Sequence, residues 1–101
     1  MIVDEFSQNR GGTSVMYTLA CEKCDAVLGD YQKDGPGPLK RLYVDRLQSA
    51  VAPAYTPMHV WACHACHRPL AIAMVYAKET RPCWTLFAHT VRHAEPINAP
   101  D

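Results

Sequence analysis

Two pairs of cysteines carry the clearest chemistry in this sequence, because each pair has the spacing of a metal-binding turn. Cys21 and Cys24 form the first C-x-x-C pair, Cys63 and Cys66 form the second, and 39 positions separate Cys24 from Cys63. A C-x-x-C turn brings two sulfur atoms to one side of the backbone, and two such turns complete the tetrahedron of thiolates that zinc prefers. The sequence therefore predicts one zinc ion bound by all four cysteines. The alternatives are buried thiols without a ligand, or two local redox pairs.

The ligand type also predicts what the ion does. Four sulfur ligands close the coordination sphere and leave no position for water or substrate, so we expect the zinc to be structural. Structural zinc contributes about 10–16 kcal/mol in finger peptides, which is comparable with the whole stability of a small domain. We therefore expect the ion to dominate the folding of this chain.

The residues inside and after the turns also matter. Lys23 lies inside the first turn and His64 inside the second, where positive charge could offset the negative four-thiolate centre. Asp25 and His67 follow the two turns, at a position where glycine is common. Aspartate tolerates the left-handed backbone that this position favours, whereas histidine departs from the usual pattern.

The four cysteines and the strand-like runs beside them resemble those of the zinc-ribbon class. They also resemble the related four-cysteine zinc β-tent folds, which include Yippee-like proteins and methionine-R-sulfoxide reductases. The resemblance covers roughly residues 15–91 and specifies a metal site. It implies a small, mainly β, zinc-ribbon-like domain, but it names no function, because such modules serve many functions.

The second cysteine pair also allows a haem hypothesis. Cys63, Cys66 and His67 form C-x-x-C-H, the attachment pattern of c-type haem, and Met58 or Met74 could be the second axial ligand. This c-type haem reading leaves the first cysteine pair without a role.

The fifth cysteine, Cys83, supports a third hypothesis. Methionine-R-sulfoxide reductases carry a separate catalytic cysteine late in a zinc-bearing β fold, often after an arginine and an aromatic residue, and Arg81-Pro82-Cys83-Trp84 is similar. This resemblance implies a thiol-dependent reductase with Cys83 as nucleophile, activated by a nearby cation such as Arg81 or His89. The alternative is a small apolar thiol buried in a strand.

His89 and His93 are four positions apart and could share a face of a strand or a helix. They define a hypothetical second metal site, and the alternative is a pair of partly exposed imidazoles.

The best candidate for a partner-binding surface is a short basic segment beside a rigid turn. It contains Lys33, Lys40, Arg41 and Arg46, and the Gly-Pro-Gly-Pro turn at 35–38 exposes backbone next to them. Such a surface suits RNA, DNA or an acidic protein. The alternative is a turn followed by an amphipathic helix with a solvated basic face. We predict a non-catalytic interaction module that contacts a protein or a nucleic acid through these four residues.

Strands must position the cysteine turns. Short runs rich in β-branched and aromatic residues at 15–20 and 59–62 lead into the two pairs, and a further strand is predicted at 26–31. Residues 70–76 and 83–91 predict a C-terminal antiparallel hairpin. Both faces of its first strand are apolar, which suggests that both are covered, and a homodimer is one way to cover the second.

One short helix is predicted over 38–49, where four apolar residues recur at helical spacing after a proline. On this reading the chain has a flexible N-terminal arm (1–14), a zinc-binding domain (15–94) and a flexible tail (95–101).

Composition narrows the classes of function. Lysine plus arginine and aspartate plus glutamate both number 10, so the formal net charge is zero. Nonspecific nucleic-acid binders usually carry a basic excess, so nucleic-acid binding would have to use a local patch. There is no apolar run long enough for a transmembrane helix, and the first residues lack the order of a secretory signal. We therefore expect a cytoplasmic location, where thiols stay reduced, and the odd number of five cysteines agrees with this.

Overall fold

Runs of β-branched and aromatic residues form two antiparallel sheets of four strands each in the computed structural model, which describes residues 1–94. The strands are β1 (Ser14–Cys21), β2 (Val27–Asp34), β3 (Arg41–Tyr43), β4 (Leu47–Gln48), β5 (Val60–Ala62), β6 (Pro69–Tyr76), β7 (Arg81–Leu86) and β8 (Val91–His93). One α-helix, α1, spans Glu5–Asn9, and a 3-10 turn spans Val44–Arg46. The mainly β fold class is therefore confirmed, whereas the predicted tail at 95–101 lies outside the described residues.

The order of strands explains where the cysteines lie. The first sheet has the order β4–β2–β1–β8 and the second has the order β3–β7–β6–β5. β1 and β2 are neighbours in the first sheet, and β5 and β6 are neighbours in the second. Each C-x-x-C pair therefore sits on the connection between two paired strands, one connection in each sheet. The predicted C-terminal hairpin is confirmed as β6 and β7, which pair from Ala71↔Leu86 to Tyr76↔Arg81, although its second strand covers Arg81–Leu86 and not 83–91.

Two tryptophans fill the core beside the second sheet. Trp61 and Trp84 are each 1% exposed, and their rings meet edge to face with centroids 5.5 Å apart. Their strand partners are Ala71 and Ala73, both fully buried, so each large ring lies beside a small side chain. Met74 on the other face of β6 is 42% exposed, and the homodimer that this face suggests stays a prediction.

The helix predicted over 38–49 is wrong. This segment forms strand β3, the 3-10 turn Val44–Arg46 and strand β4. Leu42 is fully buried opposite Trp84, and its two neighbours in β3 are only partly buried, so burial alternates along β3 as in a strand. After the turn, Leu47 pairs with β2 in the first sheet. The segment thus joins both sheets, and its hydrogen bonds to two different strands outweigh the helical spacing of its leucines.

The N-terminal segment, predicted as a flexible arm, contains α1 and several polar contacts. Asp4 caps the helix, because its Oδ1 accepts a hydrogen bond from the Ser7 backbone N–H at 3.1 Å. The same carboxylate forms an ion pair with Arg46 at 2.6 Å, and Arg10 forms one with Glu79 at 2.8 Å. α1 has only five residues, and within the described part of the chain no helix has the length and hydropathy needed to cross a membrane.

Candidate metal centre and cationic cleft

The first cysteine turn is a compact loop between β1 and β2. The Cys21 backbone N–H donates to the Ala26 carbonyl oxygen at 2.9 Å, and the Asp25 N–H donates to the Cys21 carbonyl oxygen at 2.9 Å. Asp25 has φ of 65°, in the left-handed region. These bonds hold Cys21 and Cys24 on one tight turn.

The second turn, between β5 and β6, repeats the same pattern. The Cys63 N–H donates to the Arg68 carbonyl oxygen at 2.8 Å, and the His67 N–H donates to the Cys63 carbonyl oxygen at 2.9 Å. His67 has φ of 66°, so it adopts the same left-handed backbone. Cys63 and Cys66 therefore have the same local framework as the first pair.

The two turns bring their four sulfur atoms together. The Sγ atoms of Cys21 and Cys66 are 3.7 Å apart, as are those of Cys24 and Cys63, and all four lie within 4.8 Å of one another. A zinc–sulfur bond of about 2.3 Å gives a tetrahedron whose sulfur atoms are about 3.8 Å apart. The cluster therefore fits a four-thiolate metal site. Among residues 1–94 it is the one group of three or more histidine, cysteine, aspartate or glutamate side chains with this spacing.

The thiols of the cluster affect one another's ionisation. Burial raises the pKa of Cys63, but hydrogen bonds from the backbone N–H groups of Cys66 and Ala65 outweigh it and lower the pKa to about 7. At Cys24 the Ala26 N–H lowers the pKa, but burial and the neighbouring thiols outweigh it and raise the pKa to about 12. Four thiolates at this spacing would repel one another, and a cation bound between them would offset that repulsion.

Cys83, the hypothetical nucleophile, lies away from the surface. It is 1% exposed in β7, and its Sγ is 3.9 Å from the Thr85 hydroxyl oxygen. The Arg81 guanidinium, which could have activated it, forms ion pairs with Asp45 at 2.8 Å and Glu79 at 3.1 Å. These surroundings are those of a small side chain buried within a strand.

The two C-terminal histidines are in different surroundings. The His93 ring packs on Tyr17, with ring centroids 4.1 Å apart. His89 is exposed in the turn before β8, with φ of 60°. Nothing in these surroundings provides a third metal ligand within residues 1–94.

Three of the four predicted partner-binding residues line one cavity, which we call the cationic cleft. The cleft has a volume of about 320 Å³ and lies between β2, β3 and the Gly-Pro turn at 35–38. Its lining includes Lys33, Lys40, Arg41, Arg10, Tyr43 and Tyr76. The basic segment therefore forms a concave surface instead of one face of a helix.

Arg46, the fourth predicted contact, is a buried structural residue. Its side chain is 1% exposed, and its guanidinium forms ion pairs with Asp34 at 2.9 Å and Asp4 at 2.6 Å. Asp45 is a third carboxylate partner, 3.6 Å from the guanidinium. Since a buried arginine with these partners cannot reach another molecule, Arg46 does not belong to the proposed surface.

The carboxylates near the cleft are already used. Asp34 accepts hydrogen bonds from Arg46, Ser14 and Gln32. Arg10 and Glu79 form a two-point ion pair with both N···O distances at 2.8 Å. Within residues 1–94, Lys33, Lys40 and Arg41 have no such carboxylate partner, so the cleft keeps a local positive charge.

Two of these cations are held in place. The Lys33 ammonium donates to the Gly35 carbonyl oxygen at 2.7 Å, and the Arg41 guanidinium lies 4.5 Å from the centre of the Tyr76 ring. The pKa of Lys33 lies below its usual value, because burial and the charge of Arg10 outweigh the opposing effect of Asp34. Partial burial of the ammonium group is the main cause of this shift.

Sequence reasoning missed Arg10 and Tyr76 as residues of the cleft. Arg10 lies in the stretch predicted as an arm, and its position depends on Glu79, which is 69 positions away. No local pattern around Arg10 indicates that pairing.

Comparison of the chain with protein-family models, with curated proteins and with solved structures gives no match.

Proposed function

We propose that the chain is a non-catalytic interaction module built on one structural zinc ion, bound by Cys21, Cys24, Cys63 and Cys66. The observation that carries this proposal is the convergence of four sulfur atoms from two equivalent turns in different sheets. When bound, zinc supplies a cross-link between the sheets. Because sulfur fills all four tetrahedral positions, the site itself has no place for a substrate.

We further infer that the domain is of the four-cysteine zinc β-tent type. The support is that each sheet contributes one cysteine turn, so the ion joins two separate sheets where paired strands meet. The free thiols, which must be reduced to bind zinc, suit a reducing compartment such as the cytoplasm.

The cationic cleft is the surface that we assign to the partner. Lys33, Lys40 and Arg41 line a concave site and have no carboxylate partner within the described chain, so an anionic group could bind there without breaking an ion pair. The partner is accordingly an acidic or phosphorylated protein, or a nucleic acid.

The two alternative functions have less support. A reductase needs an accessible thiolate, and Cys83 is 1% exposed. A c-type haem needs Cys63 and Cys66 free for attachment, but each has a sulfur of the first turn 3.7 Å away. The burial of Cys83 therefore disfavours the reductase, and the sulfur contacts of Cys63 and Cys66 disfavour the haem protein.

The test measures binding of three anionic probes to the zinc-loaded protein at low salt. The probes are a single-stranded RNA oligomer, a polyglutamate peptide and a short peptide containing phosphoserine. We expect at least one probe to bind, with an affinity that falls as salt is added, because screening weakens contacts between exposed charges.

A charge-matched pair of variants locates the binding surface. Lys40→Ala combined with Arg41→Ala should weaken binding about tenfold or more, because charge-assisted hydrogen bonds are among the strong ones. Arg68→Ala combined with Lys78→Ala removes the same charge outside the cleft and should leave binding nearly unchanged. If no probe binds at low salt, or if both double variants lose affinity equally, the proposed function is wrong.

A further inference from the structure

The cationic cleft gathers positive side chains from three places in the fold. Its positive groups come from different elements, Lys33 from β2, Lys40 from the loop before β3 and Arg41 from β3 itself. All three line the same cavity of about 320 Å³, and Lys40 and Arg41 also line a second cavity beside β7. A ligand group in the first cavity therefore lies among three positive side chains.

Arg41 is held in a position from which it can donate two hydrogen bonds to one anionic group. Its guanidinium carbon lies over the Tyr76 ring, 4.5 Å from the centroid, and this cation–π contact restricts where the side chain lies. The planar guanidinium carries its N–H donors at its edge, where they match two oxygen atoms of a phosphate in a two-point contact. Lysine ammonium groups add charge without such a directional requirement.

The Gly-Pro turn at 35–38 shapes the wall of the cleft. Gly35 has φ of 75°, and a Cβ atom there would lie 2.8 Å from both the Cβ and the carbonyl oxygen of Arg10. Glycine therefore allows the turn to pack directly against Arg10. Gly37 has φ of 105°, and a Cβ atom there would meet no other atom within 4 Å. The turn thus offers exposed backbone beside the three cations.

From this arrangement, and resting on the proposed function, we infer that the cationic cleft binds the phosphate monoester of a phosphorylated serine or threonine on a partner protein. Such a group carries a charge of about −1.5 to −2 near neutral pH and has three acceptor oxygens. A carboxylate or a phosphodiester offers about one negative charge to the same three cations. Recognition of phosphorylated segments by clustered basic residues is a recurring mode of peptide binding.

The zero net charge of the chain favours this ligand over a nucleic-acid strand. A strand binds through phosphate contacts along its length, which needs basic residues over an extended surface. Here, ten acidic and ten basic residues balance, and Lys33, Lys40 and Arg41 line one cavity instead of forming an extended basic surface.

The experiment compares matched peptides binding to the zinc-loaded protein. One flexible peptide is made with phosphoserine, serine or glutamate at the same position, and AMP serves as a phosphate monoester that is not attached to a peptide. We expect the phosphoserine peptide to bind at least about tenfold more tightly than the other two peptides, and also more tightly than AMP. Amide signals of Gly35 and Gly37 should shift in the NMR spectrum of the wild-type protein.

Two further readouts test the chemistry. Lys33→Met and Arg41→Lys should each weaken binding of the phosphoserine peptide, whereas Lys78→Met should leave its affinity unchanged. Affinity should fall as pH decreases through about 6, where the phosphate loses its second charge.

The possible failures can be told apart. If RNA or polyglutamate binds through Lys40 and Arg41 while phosphorylation brings no gain, the phosphate inference is wrong and the interaction module stands. If AMP binds more tightly than the phosphoserine peptide, the cleft takes a free phosphate and the inference is also overturned. If no anionic probe binds, both proposals fail.

Discussion

Asp25 and His67 occupy equivalent positions, directly after the two cysteine turns, and share a left-handed backbone with φ of 65° and 66°. The N–H of each donates to the carbonyl oxygen of the first cysteine in its turn at 2.9 Å. Aspartate adopts this conformation at low cost, whereas the conformation is less favourable for histidine. The turn geometry that gathers the sulfur atoms therefore outweighs the preference of His67.

Replacing His67 with glycine should keep or raise stability, because glycine adopts positive φ without a steric penalty. We expect a gain of about 0.5 kcal/mol, after allowing for the extra freedom of glycine in the unfolded chain. Thermal unfolding of the zinc-loaded protein measures it.

His67→Val is the control, because a β-branched residue is strongly disfavoured at this φ. It should lower stability by about 1–2 kcal/mol. Loss of metal or of folding in the glycine variant, with valine tolerated, would show that the imidazole itself has a role. That result would support the hypothesis that His67 is an axial haem ligand.

Arg46→Met should be strongly destabilising. It removes the partner of Asp34, whose side chain is 4% exposed, and leaves that carboxylate buried with only neutral donors. Breaking a buried pair in this way costs about 3–5 kcal/mol. Urea unfolding of the zinc-loaded protein gives the difference.

Arg92→Met is the matched control for this prediction. Arg92 pairs with Asp25 at 2.6 Å, but the two side chains are 44% and 72% exposed. An exposed pair contributes at most about 1 kcal/mol, so this variant should remain close to the wild type. Equal losses in the two variants would contradict the structural role of Arg46.

The capping carboxylate makes stability depend on acidity. A hydrogen bond from Arg46 lowers the pKa of Asp4 from 3.8 to about 2, and backbone N–H groups of α1 add to the effect. Because the folded-state pKa is depressed, the contribution of Asp4 is complete above about pH 4 and disappears as pH falls towards 2.

Asp4→Asn isolates this contribution, because asparagine is an equally good helix cap. The difference in unfolding free energy between the wild type and Asp4→Asn should be constant above about pH 4 and shrink below it. Acid release of metal affects both proteins alike. A difference that grows on acidification would contradict the assigned pKa of Asp4.

Cys83 should be inert in the folded protein. Because it is 1% exposed, iodoacetamide at neutral pH should leave Cys83 unmodified in the zinc-loaded chain, as peptide mass spectrometry would show. The same reagent should modify all five cysteines after unfolding with a chelator. Rapid modification of Cys83 in the folded protein would support the reductase hypothesis instead.

The clustering of the four cysteines could be predicted from sequence because a C-x-x-C turn is a local feature. The spacing within each pair fixes which sulfur atoms meet, and the strands before and after each turn have clear β-branched and aromatic character. Alternation was a weaker guide to β6. There the small residues Ala71 and Ala73 face the core and Met74 is exposed, since the tryptophans supply the volume.

The cleft depends on contacts that no local pattern contains. The apolar residues at 39, 42, 43 and 47 have helical spacing, but Leu42 and Leu47 pair with strands of different sheets, so their segment adopts strand conformation. The sequence around Arg46 predicts a surface cation, because its partners Asp4 and Asp34 are distant in the chain. Long-range pairing of this kind decides which basic residues stay available to a partner.

The central claim is that a metal ion joins the two cysteine turns, and elemental analysis of freshly purified protein tests it most directly. We expect one zinc ion per chain in the wild type and in Cys83→Ser, with loss of zinc and of cooperative unfolding in Cys66→Ser. Wild-type protein without stoichiometric metal, or a Cys66→Ser variant that folds as cooperatively as Cys83→Ser, would contradict the claim.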